Sequence, residues 1–117
     1  MEVTKIDVSN NGNDLKASLK GKLITIEENN SLETFFKTFL DKGVKKFLIN
    51  MSEVTHINSS GLGLIVKYFQ KIKAVDGAIV FCYVQKDVNE LFQMTRLNKK
   101  IKMFKTEEEA KEYLAEC

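Results

Sequence analysis

Proline and tryptophan are absent from this 117-residue sequence, histidine occurs once, and there are only two cysteines. Without proline, no proline-rich linker divides the chain, and we expect residues 1–117 to form a single domain. His56, Cys82 and Cys117 are too few and too far apart for the spacing of a metal site, so we predict neither a metal nor another cofactor. Two separated thiols also exclude a disulfide framework.

An excess of charge of one sign is missing as well, because 18 basic and 16 acidic residues give a formal net charge of +2. This balance argues against a nucleic-acid-binding protein. The only local basic cluster runs from Arg96 to Lys102 and includes Lys99 and Lys100. The cluster fits a solvated surface loop better than a patch for phosphate or nucleic acid, and both interpretations stay open.

Long apolar runs are lacking too, and no segment has the form of a signal peptide. We therefore expect a soluble, cytoplasmic protein without membrane insertion, a compartment with which free thiols are compatible. The apolar fraction of 44% is ordinary for a globular protein. A chain of this length can bury a core without disulfides or metals.

Apolar periodicity predicts alternating strands and helices. Alternation with a period of two, or a short continuous apolar run, predicts five strands at residues 1–9, 15–23, 44–51, 78–84 and 101–105. Apolar stripes with helical spacing predict helices at residues 32–40, 64–75 and 87–95, and a last one after residue 106. The order β-β-α-β-α-β-α-β-α predicts an α/β fold with a mixed, mostly parallel sheet.

Capping signals mark the ends of two of these helices. Asn30 with Glu33, or alternatively Ser31, is predicted to cap the first helix, and Gly43 is predicted to end it. A capping box of threonine and glutamate, at positions 106 and 109, is predicted to start the last helix. The residues expected to be buried on these two helices are Leu32, Phe35, Phe36, Phe39, Leu40, Ala110, Tyr113 and Leu114.

The segment Asn58-Ser59-Ser60-Gly61-Leu62-Gly63 lies where a predicted strand is followed by a predicted helix. A helix N-terminus has unpaired N–H groups and partial positive charge, which favours an anion, and a phosphorylated serine is an anion. The structural alternative is that one of the first three residues is merely the helix cap, with glycines that permit a tight turn. The segment lacks the third glycine of a dinucleotide-binding loop and the lysine of a P-loop.

An enzyme is not favoured by the residues around this segment. His56 precedes Ser59 by three residues on a short connection, and Asn58 cannot supply the acid that orients the histidine of a catalytic triad. We therefore predict no catalytic residues and no enzyme activity. A small α/β enzyme or nucleotide-binding protein stays as a distant alternative.

The sequence from Phe47 to Gly63 resembles the signature of STAS domains, in particular the bacterial anti-sigma factor antagonists. That signature is an apolar strand ending in Asp-Leu-Ser, a short apolar turn, and Asp-Ser-Ser/Ala-Gly-Leu-Gly before an apolar helix. Residues 81–84, 88–99 and 105–110 are similar to the family's fourth strand, its following helix and turn, and its terminal helix. The resemblance covers nearly the whole chain and implies a STAS-like fold.

The resemblance implies regulation by phosphorylation. Ser59 is the implied acceptor, with Ser60 as second choice, and the kinase is an anti-sigma factor of the GHKL type. The unmodified protein would bind this partner and release a sigma factor, and a PP2C-type phosphatase would reset it. The implied partner-binding residues are Asn58, Ser59, Ser60, Gly61, Leu62, Gly63 and Lys67.

This sequence departs from the family pattern at two places. Asn58 replaces the aspartate that usually precedes the acceptor, and Gly21-Lys22-Leu23-Ile24 replaces Gly-Glu-Leu-Asp. The alternative that these departures favour is a STAS domain that is not phosphorylated, for example a stressosome-like or transporter-associated scaffold.

Overall fold

Five strands form one sheet in the order β1-β2-β3-β4-β5 in the computed structural model, which describes residues 1–117. The first two strands pair antiparallel, and every later pair is parallel. The strands are β1 Glu2–Ser9, β2 Asp14–Leu23, β3 Lys46–Ile57, β4 Ala78–Cys82 and β5 Lys102–Phe104. The predicted mixed, mostly parallel sheet is therefore confirmed.

Four helices connect or follow the strands. They are α1 Ile26–Asp41, α2 Ser59–Ala74, α3 Lys86–Met94 and α4 Glu107–Ala115, and a short 3-10 turn spans Leu97–Lys99. The predicted order β-β-α-β-α-β-α-β-α is confirmed, with the 3-10 turn as an addition. No helix is both long enough and apolar enough to cross a membrane.

The two faces of the sheet are covered by different helices. Because side chains alternate along a strand, Phe47 and Ile49 of β3 face helices α1 to α3, whereas Leu48 faces α4. The larger core, on the α1–α3 side, contains 21 buried residues, among them Phe36 and Phe92. The smaller core consists of Leu48, Val80, Cys82, Ala110 and Leu114.

Helix α1 begins earlier than the sequence indicated. Its N-cap is Thr25, whose Oγ1 accepts a hydrogen bond from the Glu28 N–H at 3.2 Å, while the Glu28 carboxylate accepts from the Thr25 N–H at 2.8 Å. The predicted caps Asn30 and Ser31 are wrong, since both residues lie inside the helix. A capping box satisfies two orphan N–H groups at once and so fixes the helix start at Ile26.

The end of α1 is as predicted. Gly43 has a φ of +93°, the left-handed conformation that glycine adopts without steric cost. Its N–H donates to the Leu40 carbonyl, and the Val44 N–H donates to the Phe39 carbonyl, both at 3.0 Å. This pair of hydrogen bonds is a Schellman motif, and it ends the helix.

The boundary between β3 and α2 differs from the prediction. Strand β3 continues past Met51 to Ile57, because β2 continues to pair with it as far as Leu23. Helix α2 begins at Ser59, directly after its cap Asn58, which agrees with a cap among the first three residues of the serine-glycine segment, although helical periodicity was evident only from Leu64. The connection that the sequence suggested as a turn is therefore mostly strand, and the helix starts within the serine-glycine segment.

The last helix matches its predicted cap but only part of its predicted buried stripe. Thr106 Oγ1 accepts from the Glu109 N–H at 3.2 Å, as expected for the predicted capping box. Ala110 and Leu114 are buried, whereas Tyr113 is 36% exposed, so its assignment to the buried stripe is wrong. The Tyr113 ring lies beside Phe104, with 5.3 Å between ring centroids.

Candidate functional site

Asn58 joins the start of α2 to the end of β2. Its Oδ1 accepts a hydrogen bond from the Gly61 N–H, and its Nδ2 donates to the Ile24 carbonyl, both at 3.0 Å. Its backbone N–H also donates to the Leu23 carbonyl at 3.3 Å. An ionised aspartate could make the first of these contacts but could not donate to Ile24. The amide at this position therefore fits the loop that precedes α1.

Because Asn58 is the N-cap, both serines are left free of that role. Ser59 and Ser60 are the first two residues of α2, and both side chains are exposed. The first turn of α2 contains no acidic residue. The orphan N–H groups and partial positive charge of the helix start therefore face no carboxylate from the first turn, an arrangement that favours an added anion.

The two glycines of the segment have different surroundings. A Cβ built on Gly61 would lie 2.6 Å from Leu23 Cγ and 2.7 Å from the Leu23 carbonyl oxygen, so glycine is required for α2 to approach β2. A Cβ built on Gly63 would meet nothing within 4 Å, and Gly63 is exposed. Leu62, between them, is buried in the core. Close packing inside the fold thus explains Gly61 but not Gly63.

The loop between β2 and α1 forms the rim next to the serines. The Glu28 carboxylate accepts hydrogen bonds from the backbone N–H groups of Thr25 and Ile24, and these contacts lower the pKa of Glu28. Two apolar side chains of this loop are exposed, Ile24 at 41% and Ile26 at 77%. Sequence reasoning missed them as site residues, although both flank Thr25, the first residue of a Thr-x-x-Glu capping box that can be read from the sequence.

Lys67 lies further along the exposed side of α2, seven residues after Ser60 and so on the same helix face. Its Nζ lies 2.8 Å from Oε2 of Glu33 on α1, and Tyr68 donates to the same oxygen at 3.3 Å. The contact with Lys67 lowers the pKa of Glu33 and raises the pKa of Lys67. Lys67 therefore links α1 to α2 and leaves part of its side chain accessible.

His56 is exposed, and its Nδ1 lies 2.9 Å from Thr55 Oγ1. Its hydrogen-bond partner is thus the adjacent threonine and not Ser59. No three His, Cys, Asp or Glu side chains are grouped in a way that could hold a metal ion.

Comparison with known proteins gives a match along most of the chain. The sequence model of the STAS domain matches residues 5–110. A protein of Thermotoga neapolitana named "putative anti-sigma factor antagonist" is 32% identical over 77 residues, which cover 66% of this chain and 68% of that protein. A protein of Thermotoga maritima with the same description is 31% identical, with the same coverage of both chains.

Solved structures share the fold. The unphosphorylated anti-sigma factor antagonist SpoIIAA superimposes with a TM-score of 0.79 at 20% identity, covering 97% of this chain and 96% of that one. The crystal structure of the Thermotoga maritima protein gives a TM-score of 0.83 at 24% identity, covering 95% and 93%. The phosphorylated form of SpoIIAA from Bacillus gives 0.70 at 20% identity, covering 93% and 96%. The five-stranded sheet with four helices is therefore a SpoIIAA-like fold.

Proposed function

Because the chain belongs to the STAS domain family and its relatives are described as anti-sigma factor antagonists, we propose that it binds an anti-sigma factor that is also a GHKL-type serine kinase. Binding of the unmodified protein occupies the anti-sigma factor, and a sigma factor is released. Phosphorylation of Ser59 ends the binding, and a PP2C-type phosphatase restores it. These steps take place in the cytoplasm, with no catalysis by this chain.

The observation that carries this proposal is the exposed side chain of Ser59 at the first position of α2. The cap is made by Asn58, so phosphorylation of Ser59 breaks no cap hydrogen bond. The hydroxyl also lies at the surface, where the active site of a kinase can reach it. Ser60 is exposed in the same turn and is the second candidate.

A phosphate at Ser59 is compatible with the folded chain. It adds about −1.5 to −2 charge at pH 7. Beside a helix N-terminus that charge is stabilising by about 0.3–1 kcal/mol, and an exposed position provides the space. The fold therefore stays the same after phosphorylation.

The same phosphate opposes binding when the surface is covered by a partner. A buried charge without a partner costs several kcal/mol. Moving an equilibrium from nearly all bound to nearly all free requires about 5.5 kcal/mol of differential binding. One desolvated phosphate is of that size, and the switch is a blocked surface rather than a changed fold.

The proposed docking face consists of the exposed residues Ser59, Ser60, Gly63 and Lys67, and we use the term for these four residues. A glycine inside a helix is less favourable than alanine by about 0.5–1 kcal/mol. No close contact within the chain requires glycine at position 63, which supports a close approach of the partner there. Asn58, Gly61 and Leu62 hold this face in place from beneath.

The test is a reaction followed by intact mass measurement. A pulldown from the native cell with Ser59→Ala as bait recovers the partner, which we expect to be a GHKL-type kinase. Incubation of the wild-type chain with that partner and ATP should add one phosphoryl group. Under the same conditions Ser60→Ala should also gain one phosphoryl group, and Ser59→Ala should gain none. A stable complex without any phosphoryl transfer would contradict the switch and favour the scaffold alternative.

A further inference from the structure

A cavity lies at the opposite end of α2 from Ser59. It has a volume of about 260 Å³ and is located where strands β4 and β5 begin. Three of its lining residues are Lys73, Lys100 and Lys102. Lys73 follows Ser59 by 14 residues on α2, which is roughly 21 Å along a helix with a rise of 1.5 Å per residue. This cavity is therefore separate from the docking face.

The charges around this cavity are unbalanced. No carboxylate is among its lining residues. The ion pairs of the protein use Lys16, Lys20, Lys67, Lys111 and the N-terminus, and none of them uses the three cavity lysines. Lysines that line one space without acidic partners repel each other, and an anion in that space would relieve the repulsion.

Two aromatic residues also line this cavity. Phe69 of α2 is half-buried and Tyr113 of α4 is 36% exposed, and both line the cavity. The Lys73 Nζ lies 5.8 Å from the centroid of the Phe69 ring, a cation–π distance that holds the lysine head near the cavity. Flat rings of this kind also provide a surface on which a nucleotide base can stack.

We propose that this cavity binds a polyphosphate anion. Its three ammonium groups would neutralise the charge of two or three linked phosphoryl groups. The source of the polyphosphate is either a nucleoside triphosphate, whose base would contact Phe69 or Tyr113, or an inorganic polyphosphate, which would contact the lysines alone. This inference is independent of Ser59, so either proposal can fail without the other.

The experiment measures binding of ATP, tripolyphosphate and inorganic orthophosphate by calorimetry at about 0.15 M salt, where exposed charges are screened beyond about 8 Å. We expect ATP and tripolyphosphate to bind the wild-type chain more tightly than orthophosphate. Lys100→Gln/Lys102→Gln should weaken tripolyphosphate binding at least about tenfold. ATP binding tighter than tripolyphosphate identifies a nucleotide as the source, whereas equal binding identifies inorganic polyphosphate.

The matched control is Lys42→Gln/Lys86→Gln, which removes the same charge at two exposed lysines outside the cavity. It should change the affinity less than about twofold. An equal loss in both double variants, or no binding of any of the three probes, would overturn the proposal. Lys100 and Lys102 are exposed, so both double variants should unfold at the wild-type temperature, and thermal unfolding checks this.

Discussion

Replacing Gly63 with alanine adds one methyl group on the exposed side of α2, where no atom lies within 4 Å apart from its chain neighbours and the adjacent backbone of its own helix. Gly63 is the fifth residue of a 16-residue helix, and alanine is favoured over glycine in a helix interior by about 0.5–1 kcal/mol. Because nothing opposes the new methyl group, we expect the free energy of unfolding to rise by that amount. For a domain of this size the midpoint of thermal unfolding should rise by roughly 2–5 °C.

The matched substitution Gly61→Ala should have the opposite effect. The added Cβ would lie 2.6–2.8 Å from atoms of Leu23, one of which is a backbone carbonyl oxygen. Relief requires a shift of β2 or of α2, and overpacking of this kind costs about 1–3 kcal/mol. Chemical denaturation of the two single variants and the wild-type chain measures both differences, since the midpoint shifts while the slope stays constant.

The affinity of Gly63→Ala for the partner is a second measurement, independent of stability, because Gly63 belongs to the docking face. If a partner packs against the helix at Gly63, the methyl group should weaken binding at least about tenfold, or 1.4 kcal/mol, in a variant that is more stable than wild type. A less stable Gly63→Ala variant would refute the reasoning about the open surface. An unchanged affinity in a stabilised variant would refute the place of Gly63 in the interface.

Three further predictions concern the support of the site and the core. Asn58→Ala removes the cap and the hydrogen bond to Ile24 and should lower the free energy of unfolding by about 1–2 kcal/mol, with Asn58→Asp between Ala and wild type in urea titrations. The pKa of Glu28 lies below its usual 4.5 in the folded chain. The contribution of this carboxylate to stability is therefore complete above pH 4.5 and is lost as the pH falls through the lowered folded-state pKa. In unfolding curves measured between pH 6 and pH 3, Glu28→Gln should lose less stability on acidification than the wild-type chain. Burial raises the pKa of Cys82 to about 11, so a thiol reagent should label the exposed Cys117 in the native protein, and both thiols only in denaturant. Labelling of Cys82 at the native rate of Cys117 would contradict its burial.

Most of the element order could be predicted from the sequence because core-facing positions repeat with the period of a strand or a helix. The two element boundaries that were not predicted, the start of α1 and the end of β3, lie in largely polar segments. The first turn of α1 contains Glu27 and Glu28, and the end of β3 contains Thr55 and His56, so neither has an apolar pattern that extends the element. Pairing with β2 fixes the end of β3, and that pairing depends on the tertiary arrangement. The start of α1 is fixed by the capping box of Thr25 and Glu28, a local signal that the sequence contains but that the apolar pattern does not mark.

The candidate site was located by its residue pattern, but the roles of its residues were not. Asn58 rather than a serine is the cap because its amide also reaches the Ile24 carbonyl, which is 34 residues away in sequence. Gly61 differs from Gly63 only through the position of Leu23 on the neighbouring strand. Contacts between distant segments therefore decide which of several suitable residues supports the fold and which is left at the surface.

Affinity of the recovered partner for Ser59→Asp, measured beside the thermal stability of the same variant, tests the account most directly. An aspartate places negative charge at the first position of α2, where the surface has room for it. We predict binding at least about tenfold weaker than wild type, equivalent to 1.4 kcal/mol. The unfolding temperature should not fall and should rise by at most a few degrees, because negative charge at a helix start is stabilising by about 0.3–1 kcal/mol. Full affinity with the aspartate in place would contradict control by this residue, and a collapse of stability would contradict a switch that leaves the fold intact.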